Sequence, residues 1–128
     1  MIILDTMKIN KCVLRWLPAI AVMAVIFGLS SIPSQEMPSF GLWDLVVKKS
    51  AHMLGYGLLA LVYWYGLRFD KHHWWLVILL TVLYAITDEF HQSFVPGRHS
   101  SWVDALVIDG SGAALMLLAV SEVKKRMH

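Results

Sequence analysis

The stretch CVLRWLPAIAVMAVIFGLSS occupies residues 12–31, and its one charged side chain, Arg15, lies near its start. At about 1.5 Å per residue, a helix of about 20 residues spans roughly 30 Å, the thickness of a membrane's hydrocarbon core. The stretch therefore predicts a membrane-spanning helix. Because basic residues precede it and small residues end it, a signal peptide is the alternative interpretation of this segment.

The composition of the whole chain also indicates a membrane protein. Of its 128 residues, 58% are hydrophobic and 16% are charged, and the mean hydropathy is +0.61. A water-soluble chain this short cannot enclose so much apolar surface in one core. The length suits a single domain covering residues 1–128. Cys12 is the only cysteine, which excludes an internal disulfide.

Three further apolar runs come after the first one along the chain. We predict spans at about 12–31, 45–67, 74–95 and 102–121. Proline, glycine and serine residues separate the first two runs, a charged turn separates the next two, and Pro96 with Gly97 ends the third. The sequence therefore predicts an all-α membrane protein, a bundle of four transmembrane helices.

The distribution of Lys and Arg predicts the orientation of this bundle. Three basic residues precede or begin the first span, two lie in the 68–71 turn, and three close the chain. By the positive-inside rule, both termini and this turn are expected in the cytoplasm, with the 32–43 and 96–101 loops outside. We expect a multi-pass protein of the cell membrane. The modest net charge of +2 and the lack of a basic stripe give no sign of a nucleic-acid partner.

Ionisable residues gather at the predicted outer end of three spans. Lys49 and His52 begin the second span, residues 88–92 end the third, and Asp104 begins the fourth after Arg98 in the loop. An unpaired charge in hydrocarbon costs about 2.5 to 3.5 kcal/mol on insertion scales, so such groups normally face one another or water. We therefore expect them to converge.

Helical spacing sorts these residues into faces. Lys49, His52 and Tyr56 are three and four residues apart and share one face of the second helix. On the third helix a second stripe has the same spacing: Thr81, Tyr84, Asp88, His91 and Gln92. On the fourth, Asp109 is rotated away from Asp104, which predicts different partners for these two acids.

Two motifs carry a resemblance to a known family. They are K-x-x-H-x-x-x-Y at residues 49–56 and E-x-x-Q-x-F-x-P-G-R-x-x-x-x-x-D at residues 89–104, with Ser30 and Ser31 ending the first span before Pro33. With these motifs the chain resembles the VanZ-like membrane proteins from about residue 26 to 118. Lys48 departs from the family pattern, in which an acid often precedes the lysine, and Asp109 fits the later Asn or Asp position only with a shifted spacing.

The resemblance implies a multi-pass protein linked to lowered susceptibility to lipophilic glycopeptides, to teicoplanin more than to vancomycin. From the side chains, the first hypothesis is a site for an anionic membrane lipid or a lipid-linked cell-wall precursor. Arg98 and Lys49 suit a phosphate or carboxylate. The candidate binding residues are Lys49, Tyr56, Gln92 and Arg98, and the candidate catalytic residues are His52, Glu89 and Asp104.

Three other interpretations use the same side chains. The main alternative is a structural protein in which Lys49, Glu89, Arg98 and Asp104 form an ion-pair network between helices. The first hypothesis also includes an enzyme, in which His52 or His91 acts as a base oriented by Glu89 or Asp88. A divalent metal held by Asp88, Glu89, His91 and His52, or a proton relay through them, is the weakest interpretation, and no metal or cofactor is expected. The sequence leaves the oligomeric state and the enzyme question open.

Overall fold

The computed structural model of the chain describes residues 2–32, 41–97, 103 and 105–127. In this part of the chain all regular structure is helical and no strand occurs. The long helices are α1 (Ile2–Ser30), α2 (Asp44–Gly66), α3 (Trp74–Gln92) and α4 (Gly110–Met127). Short 3₁₀ turns at Gly41–Trp43 and Lys71–His73 precede α2 and α3, and a π-helical segment, Ala105–Asp109, leads into α4.

Four stretches of these helices are long and apolar enough to cross a membrane. They are Lys11–Ser30, Gly41–Gly66, Lys71–Gln92 and Leu106–Met127. Large apolar side chains such as Ile20, Val25 and Leu83 are exposed along them, as expected where lipid rather than water is the solvent. The predicted all-α architecture of four membrane-spanning helices is confirmed.

The helix ends differ from the predicted spans by a few residues, for local reasons. Helix α3 ends at Gln92 rather than near residue 95, and residues 93–95 form turns instead. Pro96 accounts for this difference, because the residue before a proline is disfavoured in the helical region. Helix α4 continues to Met127, past the predicted end at 121, where Lys125 pairs with Glu122 at 3.3 Å on the helix surface.

Helix α2 occupies the centre of the bundle. It packs most extensively against α4, then against α1 and α3. Its buried face supplies half of the apolar core, which comprises Ala19, Tyr56, Leu59, Ala60, Tyr63, Trp64, Val77, Ala85, Ala113 and Leu117. Because every other long helix packs on α2, side chains from its N-terminal half are positioned to meet groups from all three neighbours.

The turn after α2 holds two non-glycine residues in the left-handed region. Arg68 has φ of 62° and Phe69 has φ of 57°. The Phe69 N–H donates to the Trp64 carbonyl at 2.8 Å, and the Phe69 ring packs edge-on against the Trp64 indole at 5.2 Å between centroids. Backbone hydrogen bonding and aromatic packing together hold this disfavoured conformation.

Candidate functional site

Polar side chains are concentrated at one end of the bundle, which we call the polar end. It is formed by the C-terminal ends of α1 and α3, the N-terminal half of α2 and the π-helical segment before α4. Its buried or half-buried polar residues, among those described, include Ser30, Lys48, His52, Tyr56, Asp88, Glu89, His91, Gln92 and Asp109. The opposite end, which carries Lys11, Arg15, Arg68 and Lys124, is called the basic end.

The Asp88 cluster, made of Ser30, Tyr56, Asp88 and Gln92, joins three helices. One carboxylate oxygen, Asp88 Oδ2, accepts hydrogen bonds from the Ser30 hydroxyl at 2.8 Å, the Tyr56 hydroxyl at 2.9 Å and the Gln92 amide at 3.1 Å. Gln92 also donates to the Ser30 oxygen at 3.2 Å. Asp88 is only 2% exposed. The three hydrogen-bond donors offset the free-energy cost of burying its carboxylate.

A second buried carboxylate, Asp109, lies beside His52. The His52 Nδ1 atom is 3.6 Å from Asp109 Oδ1, within ion-pair range but longer than a direct hydrogen bond. Asp109 is 1% exposed, whereas a third of the His52 side chain is exposed. The buried acid therefore orients the imidazole, and the Nε2 atom is the ring nitrogen left for another partner.

The π-helical segment explains why Asp109 reaches His52. Residues Ala105–Asp109 are π-helical, and the wider i→i+5 turn rotates the residues beyond it relative to a regular helix. A π-turn of this kind is frequent at functional sites, because it redirects one side chain without breaking the helix. Asp109 is the last residue of this π-helical segment, and its carboxylate lies beside His52.

A cavity of about 170 Å³ opens between α1 and α2 at the polar end. Lys48, His52, Tyr56 and Ser30 contribute to its lining, and the remaining lining residues are apolar: Ile26, Leu29, Ala51 and Gly55. Next to it on the same face, a fully apolar depression of about 260 Å³ runs down between the two helices past Leu58. The surface therefore combines a mainly apolar cavity, with a few polar side chains in its lining, and an apolar groove.

A separate polar contact joins α1 to α3 at the same end. The Ser31 hydroxyl and His91 Nε2 are 2.9 Å apart, and the Phe27 ring stacks on the imidazole at 4.2 Å between centroids. Deeper along α3, the Tyr84 hydroxyl donates to the Met23 carbonyl. His91 therefore contacts α1, whereas His52 contacts Asp109.

The structure brings some of the residues predicted for the site together. His52 and Tyr56 line the cavity, Gln92 and Tyr56 share the Asp88 carboxylate, and Glu89 is 5% exposed on α3. Lys49 is exposed, and its neighbour Lys48 lines the cavity instead. The other two predicted residues, Arg98 and Asp104, lie outside the described residues.

Three residues absent from the predicted site lie at its centre: Ser30, Asp88 and Asp109. Ser30 belongs to the family resemblance, and Asp88 belongs to the helical stripe with Gln92, so both carried a signal in the sequence. The signal for Asp109 was weaker, because it fits the family's later Asn or Asp position only with a shifted spacing and regular helical spacing turns it away from Asp104. In the structure it lies at the end of the π-helical segment.

The acids and histidines of the polar end pair with other groups rather than gathering around one point. Within residues 2–32, 41–97, 103 and 105–127, no group of three or more His, Cys, Asp or Glu side chains is arranged to hold a metal ion. The arrangement there favours hydrogen bonding and charge pairing as its chemistry.

A family model described as VanZ/LLP1 matches residues 13–124, which is most of the chain and the greater part of each of the four spans. No curated protein matches the chain, and no solved structure does.

Proposed function

The chain belongs to the VanZ/LLP1 family, and from this premise we propose that its polar end recognises an anionic cell-envelope lipid or lipid-linked cell-wall precursor. By binding that molecule, the protein lowers susceptibility to lipophilic glycopeptides such as teicoplanin. The anionic group lies at the mouth of the cavity between α1 and α2, and the apolar part of the ligand lies along the groove between the same helices.

The observation that carries this proposal is a mainly apolar cavity that has His52 and Lys48 in its lining and continues into an apolar groove between the same helices. The partly exposed His52, held by Asp109, and the Lys48 side chain line the pocket, and apolar residues line the groove below it. A lipid with an anionic headgroup has the same division into a charged part and an apolar part. Structural packing alone does not require a partly exposed imidazole backed by a buried carboxylate.

The proposal assigns roles to the remaining candidates by their chemistry. Arg98 contributes a bidentate donor to phosphate or carboxylate, and Lys49 adds a compact positive charge near the ligand. Glu89 and Asp104 are acids that orient these cations or His52. Tyr56 and Gln92 act through Asp88, because both donate to its buried carboxylate.

The test is the inhibitory concentration of teicoplanin and vancomycin for a sensitive Gram-positive host that expresses the protein. We expect wild type to raise tolerance to teicoplanin more than to vancomycin. His52→Gln should abolish this gain at unchanged membrane abundance, because it removes the partly exposed ring nitrogen at the pocket. His72→Gln is the matched control, since His72 is exposed on the turn before α3 at the basic end.

Two results would contradict the proposal. If wild type changes neither inhibitory concentration, the glycopeptide phenotype does not belong to this chain. If His52→Gln and His72→Gln behave alike, or if tolerance falls only in proportion to abundance, the pocket is not the working site. Arg98→Lys, which keeps the charge and loses the bidentate geometry, tests the assigned role of Arg98 in the same assay.

A second candidate function is structural, and the Asp88 cluster favours it. One carboxylate oxygen of Asp88 accepts hydrogen bonds from Ser30 on α1, Tyr56 on α2 and Gln92 on α3. These hydrogen bonds specify the relative positions of the three helices. Under this alternative the polar end needs no ligand. Loss of stability would then precede any loss of drug tolerance in every variant of the polar end, including His52→Gln.

A further inference from the structure

The basic end contains a cavity that the proposed function does not use. Its volume is about 580 Å³, and it lies between the start of the first span and the C-terminal end of α2. Lys11, Arg15 and Arg68 line it together with the apolar Leu14 and the aromatic Tyr65. Three cations therefore share one cavity, and no acidic side chain is among its described lining residues.

Among the described side chains, Arg15 contacts an aromatic ring rather than an acid. Its guanidinium carbon lies 4.9 Å from the centroid of the Tyr65 ring, in cation–π contact. Its Nε atom is buried and has no hydrogen-bond partner among the described residues. A buried donor without a hydrogen-bond partner destabilises the folded protein, and a bound anion that accepts its hydrogen bond would remove this destabilisation.

The backbone adopts a disfavoured conformation where it positions Arg68. This residue has φ of 62°, a conformation that glycine accepts readily and arginine does not. Gly66, two residues earlier, packs so closely on Trp16 that an added Cβ would lie 2.9 Å from the indole. The turn is thus packed against α1, which brings Arg68 to the cavity that Lys11 and Arg15 line.

We propose that this cavity binds the phosphate headgroup of an anionic membrane phospholipid. Arginine side chains bind phosphate oxygens through paired N–H donors, and basic pockets between transmembrane helices bind lipid headgroups. The source of the phosphate is a lipid because the cavity adjoins exposed apolar side chains of α1, including Leu14 and Leu17, along which acyl chains can lie. This site is at the opposite end of the bundle from the polar end and does not depend on its function.

The experiment measures thermal unfolding of the purified full chain in a neutral detergent with added lipid. We expect phosphatidylglycerol or cardiolipin to raise Tm, and phosphatidylcholine or inorganic phosphate to leave it unchanged. Arg15→Gln with Arg68→Gln should weaken the lipid affinity by about tenfold or more, because each removes a charge-assisted contact. Lys125→Gln with Arg126→Gln removes two charges from the same end outside the cavity and should keep the affinity.

The Arg68→Gly variant tests lipid binding separately from the thermal stability of the lipid-free protein. Glycine relieves the left-handed conformation, so the lipid-free Tm should stay equal or rise, while the stabilisation by phosphatidylglycerol should fall. Equal protection by phosphatidylcholine, or by inorganic phosphate alone, would overturn the assignment to an anionic lipid. Retained lipid stabilisation in Arg68→Gly and in the Arg15, Arg68 double variant would overturn the site itself.

Discussion

A single carboxylate oxygen organises the polar end at the scale of residues. Asp88 Oδ2 accepts from a serine, a tyrosine and an amide, and these donors belong to three helices. In hydrocarbon a carboxylate without such donors would be unfavourable, so the cluster forms as a unit or not at all. The remaining oxygen, Asp88 Oδ1, is buried and has no hydrogen-bond partner among the described residues.

Tyr56→Phe tests the energy of this cluster. The substitution removes a hydroxyl that donates to a buried carboxylate, and we expect it to lower the free energy of unfolding by about 1.5 to 3 kcal/mol. Thermal or denaturant unfolding in detergent measures the change. Tyr63→Phe is the matched control, because this ring is also buried on α2 and its hydroxyl makes no hydrogen bond to the described residues.

The two substitutions together decide whether the hydroxyl or the ring matters. A small effect of Tyr56→Phe, equal to that of Tyr63→Phe, would mean that the bond to Asp88 contributes nothing measurable. The sequence supported part of this picture, since Tyr84, Asp88 and Gln92 recur at helical spacing. The sequence could not show that Ser30, which lies 58 residues before Asp88, donates to the same carboxylate oxygen as Tyr56. This convergence arises only when the helices pack together.

At the scale of elements, helices α2 and α4 approach each other closely through their glycines. A Cβ added at Gly112 would lie 2.5 Å from the Met53 carbonyl oxygen, and one at Gly57 would lie 3.1 Å from the Gly112 carbonyl oxygen. Helix backbones come this near only where small residues face each other, as in other membrane helix pairs. This crossing positions the start of α4, and with it Asp109, against His52 on α2.

We expect Gly112→Ala to separate these two helices. The added methyl group has no room, so the free energy of unfolding should fall by about 1 to 3 kcal/mol. Gly28→Ala is the control, because nothing lies within 4 Å of its Cβ position and alanine favours a helix over glycine by about 1 kcal/mol. Unfolding in detergent compares the two, and similar effects of both variants would argue against the close approach.

At the scale of the whole molecule, the buried acids of the described residues lie at the polar end, and a group of basic side chains lies at the opposite end of the bundle. Arg15, Arg68 and Lys124 lie at the basic end, whereas Asp88 and Asp109 are buried at the polar end. The positive-inside rule predicts that the basic end faces the cytoplasm. The polar end would then face outward, where a glycopeptide and its cell-wall target meet.

Reporter fusions measure this orientation. A green fluorescent protein joined after His128 should fluoresce, and alkaline phosphatase at the same position should be inactive, because the C-terminus is expected in the cytoplasm. Alkaline phosphatase inserted at residue 35, within the 32–43 segment that the sequence predicts to lie outside, should be active. The opposite pattern would reverse the orientation, and it would place the proposed glycopeptide site on the wrong side of the membrane.

The amino-acid sequence by itself determined that the chain crosses a membrane four times, because the length and hydropathy of each span are local properties. Helical spacing and the family motifs also indicated His52, Tyr56, Glu89 and Gln92 as residues of the candidate site. Only the tertiary structure decided that Asp88 and Asp109 lie at the centre of the polar end and that Arg15 and Arg68 share a cavity. These contacts depend on how the helices cross and on one π-helical segment. The spacing of residues along a single helix predicts neither the crossings nor the π-helical segment.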